Sequence, residues 1–186
     1  MFLIELNLSF DLHVISLILL TLNQGQGLTF KGGSMQFSAA GLAVLKQAEG
    51  LRAQTYLDAA GYPTIGYGHR LVHPECYPHG ITEEQASVIL EWDVREAEQA
   101  VERLVRVPLT QGQFDALVDF TFNLGSGQLA SSTLLHDLNT GLYEAAAEQL
   151  LRWDHAGNEV VAGLKARREA EFNLWQTKTE PQQAAA

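Results

Sequence analysis

Two carboxyls and a hydroxyl lie close together along the chain: Glu49, then Asp58 nine residues on, then Thr64 six beyond that. Glu49 falls where a first helix is expected to end, beside the negative pole of the helix dipole and among apolar neighbours, which disfavours its ionised form. A carboxyl that keeps its proton near neutral pH is what a general acid requires. Asp58 stands in a predicted turn among the small residues Ala59, Ala60 and Gly61, which leaves it open to solvent and ionised. Thr64 opens the string Thr64-Ile65-Gly66-Tyr67-Gly68-His69 and offers a hydroxyl that can hold a water. Two carboxyls in contrasting surroundings beside a hydroxyl form a working set for cleaving a glycosidic bond. Taken singly, the three also read as a solvated helix end, a turn former and a strand filler. Only their combination points to chemistry.

Positioning these groups requires a helix followed by a tightly turned sheet. Ser38 is placed to cap a helix carrying Leu42, Leu45 and Ala48 at a spacing near 3.6, and Gly50 stands where it should stop. Residues 51–72 change character: Thr55, Tyr56, Tyr62, Thr64, Ile65 and Tyr67 favour strands, and Gly61, Gly66 and Gly68 interrupt them. Thr82-Glu83-Glu84-Gln85 is a capping box ahead of a long helix running towards Pro108. Thr110-Gln111-Gly112-Gln113 is a second box, followed by Phe114, Leu117, Val118, Thr121 and Phe122 on one helical face and a stop at Gly125. Further helices are expected near 133–139, 142–153 and 164–176. The order predicts an α+β chain of two unequal lobes: a small one with a short antiparallel sheet, a long connecting helix, and a larger helical one.

Composition narrows the function from the other side. The 186 residues carry 12 Lys+Arg against 22 Asp+Glu, a net charge of -10, and no basic cluster of the kind that neutralises phosphates, so no nucleic-acid role is expected. A single cysteine, Cys76, makes no internal disulfide. His73, Glu75 and His79 surround it between Pro74 and Pro78, a context that reads as an irregular loop; no metal and no cofactor are expected. Trp92, Trp153 and Trp175 are assigned to helical apolar faces as core residues.

Residues 1–34 stand apart. They hold three charged residues, Glu5, Asp11 and Lys31, and their apolar stretch is broken by Asp11, His13, Ser16, Thr21 and Asn23, so they fail as an ordinary membrane span. No basic region precedes Leu12, as a secretory signal would require. A weak, releasable membrane anchor and a Gly-Gly-Ser cloning linker are two readings of this leader. A third is that Lys31-Gly32-Gly33-Ser34-Met35 translates AAA-GGA-GGT-AGC-ATG, whose GGAGG is a bacterial ribosome-binding site; Met35 would then be the start, leaving a catalytic domain of residues 35–186.

The combination Glu49-x8-Asp58-x5-Thr64, in the setting Glu49-Gly50-Leu51-Arg52, Tyr56-x-Asp58 and Thr64-Ile65-Gly66-Tyr67-Gly68-His69, resembles the phage-type lysozymes, the endolysins of tailed bacteriophages. The likeness continues through Phe122-Asn123-Leu124-Gly125-Ser126-Gly127, Ser132-Thr133-Leu134-Leu135, Arg152-Trp153 and Gly163-Leu164-Lys165-Ala166-Arg167-Arg168-Glu169, covering residues 36–176.

That resemblance implies a lysozyme-like fold and a muramidase that hydrolyses the β-1,4 bond between N-acetylmuramic acid and N-acetylglucosamine in peptidoglycan, lysing the host cell. Glu49 would be the proton donor, Asp58 would orient or deprotonate a water, and Thr64 would help fix it, with inversion at the anomeric carbon. The match further implies a His69–Asp93 ion pair joining the sheet to the long helix, Arg167 or Arg168 reaching Glu49, and Tyr67, Phe122 and Asn123 in the substrate cleft. A monomer is expected; with Met35 as the start it would wait in the host cytoplasm for a separate pore-forming holin and then act in the periplasm, whereas residues 1–34, if genuine, could tether it at the inner membrane.

Overall fold

The computed structural model describes residues 34–73, 75–157 and 159–177. The leader, with each reading of it given above, lies outside the described residues apart from Ser34.

Helix α1 (Ala39–Glu49) begins where Ser38 Oγ accepts the N–H groups of Ala40 and Gly41 and ends at Gly50, whose φ of 70° only glycine adopts freely. Its buried positions are Gly41 and Leu45, with Leu42 and Val44 packed against the core. Ala48, expected inside, is exposed, because the helix rests on its neighbours through its first two turns.

Strands β1 (Arg52–Leu57), β2 (Pro63–Gly66) and β3 (His69–Arg70) form an antiparallel sheet in that order. Tyr56 and Arg70 both pair with Thr64, and Ile65 pairs with His69. The sheet is too small to bury a face of its own: β1 is almost entirely exposed, while Thr64, Ile65 and Gly66 of β2 are buried. That central strand leans on helix α2 (Glu83–Leu104), which starts with the expected capping box at Thr82 and ends short of Pro108.

The larger lobe is built around α3 (Gln111–Leu124), buried on nearly all sides from Gly112 to Thr121. Its capping box at Thr110 and its stop at Gly125, φ 89°, fall where the residue types require them. Around it lie α4 (Ser126–Ser131), α5 (Thr133–Asn139), α6 (Tyr143–Leu150) and α7 (Ala162–Trp175), with the short antiparallel pair β4 (His155–Ala156) and β5 (Glu159–Val160) leading into α7. Phe114, Leu117, Val118, Phe120, Leu129, Leu134, Leu138 and Leu150 fill the core of this lobe. The chain is therefore α+β and two-lobed, as expected.

The sequence reading does not anticipate α4, a six-residue helix with Leu129 its one buried residue, or the β4–β5 pair, whose strand residues are all exposed. The tryptophan assignment needs correction. Trp175 is buried, but Trp92 is 38% exposed, its ring covered by the Arg95 guanidinium at 3.6 Å. Trp153 lies beyond the end of α6, edge-on to Phe120 at 5.3 Å. Among the described residues, no helix is long and apolar enough to cross a membrane.

Candidate active site

Glu49 is the last residue of α1, and the turn between β2 and β3 passes beside it. A Cβ on Gly68 would stand 3.8 Å from Glu49 Oε2, so the sheet and the helix end meet at this carboxyl. Its other oxygen is held: Arg167 Nη1 donates to Glu49 Oε1 at 2.7 Å. The surroundings are thus not the apolar ones expected from sequence. The nearest group is a guanidinium, and the side chain keeps a quarter of its surface open to solvent.

Arg167 is fixed before it reaches Glu49. Its Nε and Nη2 donate to the two carboxylate oxygens of Asp119 on α3, at 2.9 and 3.1 Å, a planar fork that sets the guanidinium's orientation. The remaining Nη1 then points at α1. Of the two candidate arginines it is Arg167 that reaches Glu49. Neither is a solvated surface residue: both are buried. Arg168 turns away, its Nη2 donating to Asn123 Oδ1 at 2.8 Å and lying 2.9 Å from Glu171 Oε1.

Asp58 is less open than its small neighbours suggested. Oδ1 accepts the backbone N–H groups of Ala60 and Tyr62, both at 2.9 Å, and Oδ2 receives Arg70 Nε at 2.9 Å. These contacts hold its carboxyl below the usual carboxylate range: the Tyr62 amide has the largest effect, desolvation opposes it, and Ala60 and Arg70 add to the lowering. The ionised state expected of Asp58 follows from its donors rather than from exposure. Arg70 in turn lies over the Tyr62 ring at 4.8 Å, so its position is fixed from a second side.

Thr64 is 1% exposed, and its hydroxyl donates to the Tyr62 carbonyl at 2.9 Å. With that proton committed, the oxygen has only lone pairs to offer a water. Tyr62 therefore ties two functional groups to one turn: its amide holds Asp58 and its carbonyl orients Thr64.

His69 and Asp93 are joined as expected, Nδ1 standing 3.0 Å from both carboxylate oxygens. The other ring nitrogen faces Glu75 Oε2 at 3.3 Å, and the same oxygen accepts the Val72 amide. With a carboxylate on each side, only the protonated ring can donate to both. The hydrogen bond to Asp93 leads in pushing the His69 pKa up, opposed by burial and aided by the charges of Asp93 and Glu75.

Tyr67 does not offer an open face for substrate. It is 5% exposed, with Lys46 Nζ 5.6 Å from its ring centre, and burial together with Glu83 pushes its hydroxyl's pKa up. Its place is the joint between α1, the sheet and α2. Phe122 and Asn123 lie at the C-terminal end of α3, both partly exposed. Because Asn123 Oδ1 is taken by Arg168, its amide nitrogen is the atom left for a ligand.

Sequence reasoning missed Asp119, Glu171, Glu75 and Arg70. Glu171 had a readable signal, since it stands three and four residues after the two arginines, the spacing of neighbours on one helix face. Asp119 had none; an acid inside an apolar helix face gives no hint of its partner until α7 is placed beside it.

A carboxyl held by a guanidinium at a helix end thus stands beside a small sheet whose first turn fixes an aspartate as a carboxylate. The Phage lysozyme family model matches residues 46–171. The endolysin of Bacillus phage B103 is 46% identical over 147 residues, 77% of this chain; the chain spans about half of that longer relative, 55% of its length. The endolysin of Salmonella phage P22 is 43% identical over 137 residues, covering 72% of this chain and 94% of that protein. A crystal structure of a P22 lysozyme variant superposes with a TM-score of 0.71 at 40% identity, over 77% of this chain and 99% of the other. The chain belongs to the phage lysozyme family.

Proposed function

We propose that this protein is a muramidase that hydrolyses the β-1,4 bond between N-acetylmuramic acid and N-acetylglucosamine in peptidoglycan by single displacement. Glu49 delivers its proton to the leaving oxygen as the bond to the anomeric carbon lengthens. Asp58 takes a proton from a water that attacks the opposite face of the sugar, and Thr64 accepts a hydrogen bond from that water. The products are a new reducing end with inverted configuration and a free hydroxyl on the leaving sugar. The observation that carries this reading is the unequal treatment of the two carboxyls. Asp58 is bound by three donors that favour its anion, whereas Glu49 has one donor and keeps an edge open to solvent.

Asn123 supplies an amide N–H to an N-acetyl group, and Phe122 offers an apolar edge beside it. Residues 35–186 are taken as the catalytic domain. The N-terminal edge of that domain is tied down at once: Gln111 donates to the Gln36 carbonyl, Glu98 accepts the Phe37 amide and Asp115 accepts the Ser38 amide. In this reading the enzyme is a monomer that waits in the host cytoplasm, reaches the periplasm once a separate holin opens the membrane, and needs no metal or cofactor.

The test is the mass and anomeric form of the product. Purified peptidoglycan digested by the wild-type chain should yield hydrated fragments whose first-formed reducing ends are the inverted anomer by NMR. Anhydro fragments would refute the role of Asp58 as base, and retained configuration would refute single displacement.

A further inference from the structure

Five charged side chains are linked behind the site: Glu49, Asp119 and Glu171 against Arg167 and Arg168. If all five are ionised, the group carries one surplus negative charge, most of it in the driest part of the protein. Asp119, Arg168 and Glu171 are fully buried and Arg167 is 7% exposed. An uncompensated charge at such a place is far too costly to persist, and a carboxyl there binds a proton instead.

The contacts identify which carboxyl that is. Asp119 accepts two donors from Arg167 in a well-formed fork. Glu49 accepts one and reaches solvent. Among the described residues, neither oxygen of Glu171 accepts a hydrogen bond from any donor, although Arg168 Nη2 lies 2.9 Å away and Arg167 Nε 3.8 Å away. The Glu171 carboxyl also adjoins that of Asp119, and burial followed by this neighbour drives its proton affinity well up, over the opposing pull of both arginines. Two carboxyls in contact repel unless one of them carries the proton that makes it a donor.

We propose that Glu171 is a protonated carboxylic acid in the folded enzyme and acts as a positioning residue: its O–H donates to Asp119, so that Arg167 serves two side chains, Asp119 and Glu49, instead of three. A neutral Glu171 leaves Asp119 fully charged to grip the Arg167 fork and leaves Nη1 free for the general acid. If Glu171 ionises, a third carboxylate 3.8 Å from Arg167 competes with Glu49 for the guanidinium. The groups that face Glu171 are Asp119 from α3, Arg167 and Arg168 from its own helix and, through Arg167, Glu49 from α1. The acids of the adjacent α6, Glu144 and Glu148, are exposed to solvent. The catalytic consequence rests on Glu49 being the acid, as proposed above; the protonation itself does not.

The decisive experiment compares folding equilibria of the wild-type chain and Glu171→Gln from pH 5 to pH 8, followed by tryptophan fluorescence in denaturant. The folded wild type keeps a proton that the unfolded chain has released, so its folding constant should fall relative to the variant by about ten-fold per pH unit until Glu171 itself ionises. Taking the difference between the two curves cancels every other titrating group. Parallel curves would overturn the proposal. If Glu171→Gln does not fold, the carboxyl carbon of Glu171 in carbon-13-labelled wild type decides the matter: a protonated signal at pH 6 supports it and an ionised signal refutes it. For the positioning role, Glu171→Gln, which still donates to Asp119, should exceed Glu171→Ala by about ten-fold in kcat at pH 6. Equal kcat in the two variants would overturn that half alone. None of the folding or NMR readouts depends on the muramidase assignment.

Discussion

Arg167 reaches Glu49 through a single nitrogen, Nη1, because Asp119 already holds the other face of its guanidinium. The contact is thus a relay of geometry from α3 through α7 to the end of α1, across 118 residues of sequence. A flexible ammonium could neutralise Glu49 but could not be aimed in this way.

Arg167→Lys should therefore lower kcat by at least about ten-fold while leaving KM nearly unchanged, since the orientation of the acid is lost but no contact to sugar is. Arg167→Ala should also destabilise the fold by about 3–5 kcal/mol, because it leaves Asp119 buried and unpaired. Steady-state kinetics on soluble peptidoglycan fragments and urea titrations check the two statements separately.

The His69–Asp93 pair gives a stability term with a defined sign. The folded pKa of His69 is raised above 6.5, so the contribution is fully present below pH 6.5 and is lost as pH rises through the raised value. Asp93→Asn should cost about 1 kcal/mol at pH 5.5, a charged hydrogen bond discounted for partial exposure. The loss should shrink towards zero at alkaline pH. Histidine NMR should show the His69 titration moving down in the variant.

Much of this is legible in the sequence. Both capping boxes, the glycine stops at Gly50 and Gly125 and the apolar period of α3 are local signals, and each marks its element correctly. Glu49, Asp58 and Thr64, to which the proposed mechanism gives the chemistry, also lie within one helix-and-hairpin unit. What stayed hidden was carried by contacts distant in sequence. Buried Arg167 is held by Asp119, 48 residues away, and buried Arg168 by Asn123, 45 residues away, while Tyr67 is packed against Lys46 and Glu83 from two different helices. The strands β4 and β5 are exposed along their length and lack the apolar alternation by which strands are found.

Gly112 is a close-packing position of that long-range kind. A Cβ there would come within 2.1 Å of the Leu174 carbonyl oxygen and of Thr177 Oγ1, where the start of α3 crosses the end of α7. The backbone oxygen cannot move aside as a side chain could. Gly112→Ala should cost about 1–3 kcal/mol by overpacking and lower the melting temperature, even though alanine is the better helix former.

Arg70 contributes to keeping Asp58 ionised, after the amides of Tyr62 and Ala60. In Arg70→Gln the carboxyl should bind its proton more readily, so the acid limb of the kcat/KM profile should move to higher pH. The alkaline limb, set elsewhere, should stay in place. A pH–rate profile of this one variant tests the assignment of Asp58 as base.

The central claim is that Glu49 is the proton donor, and Glu49→Gln tests it most directly, since it keeps the side chain's size and removes its acidity. In turbidity clearing of outer-membrane-permeabilised Gram-negative cells, and in kcat/KM on soluble peptidoglycan fragments, the variant should be slower by about a hundred-fold to ten-thousand-fold, the range for loss of a general acid. Folding and substrate binding should be retained. Clearing by Glu49→Gln at a rate comparable to wild type would contradict the account.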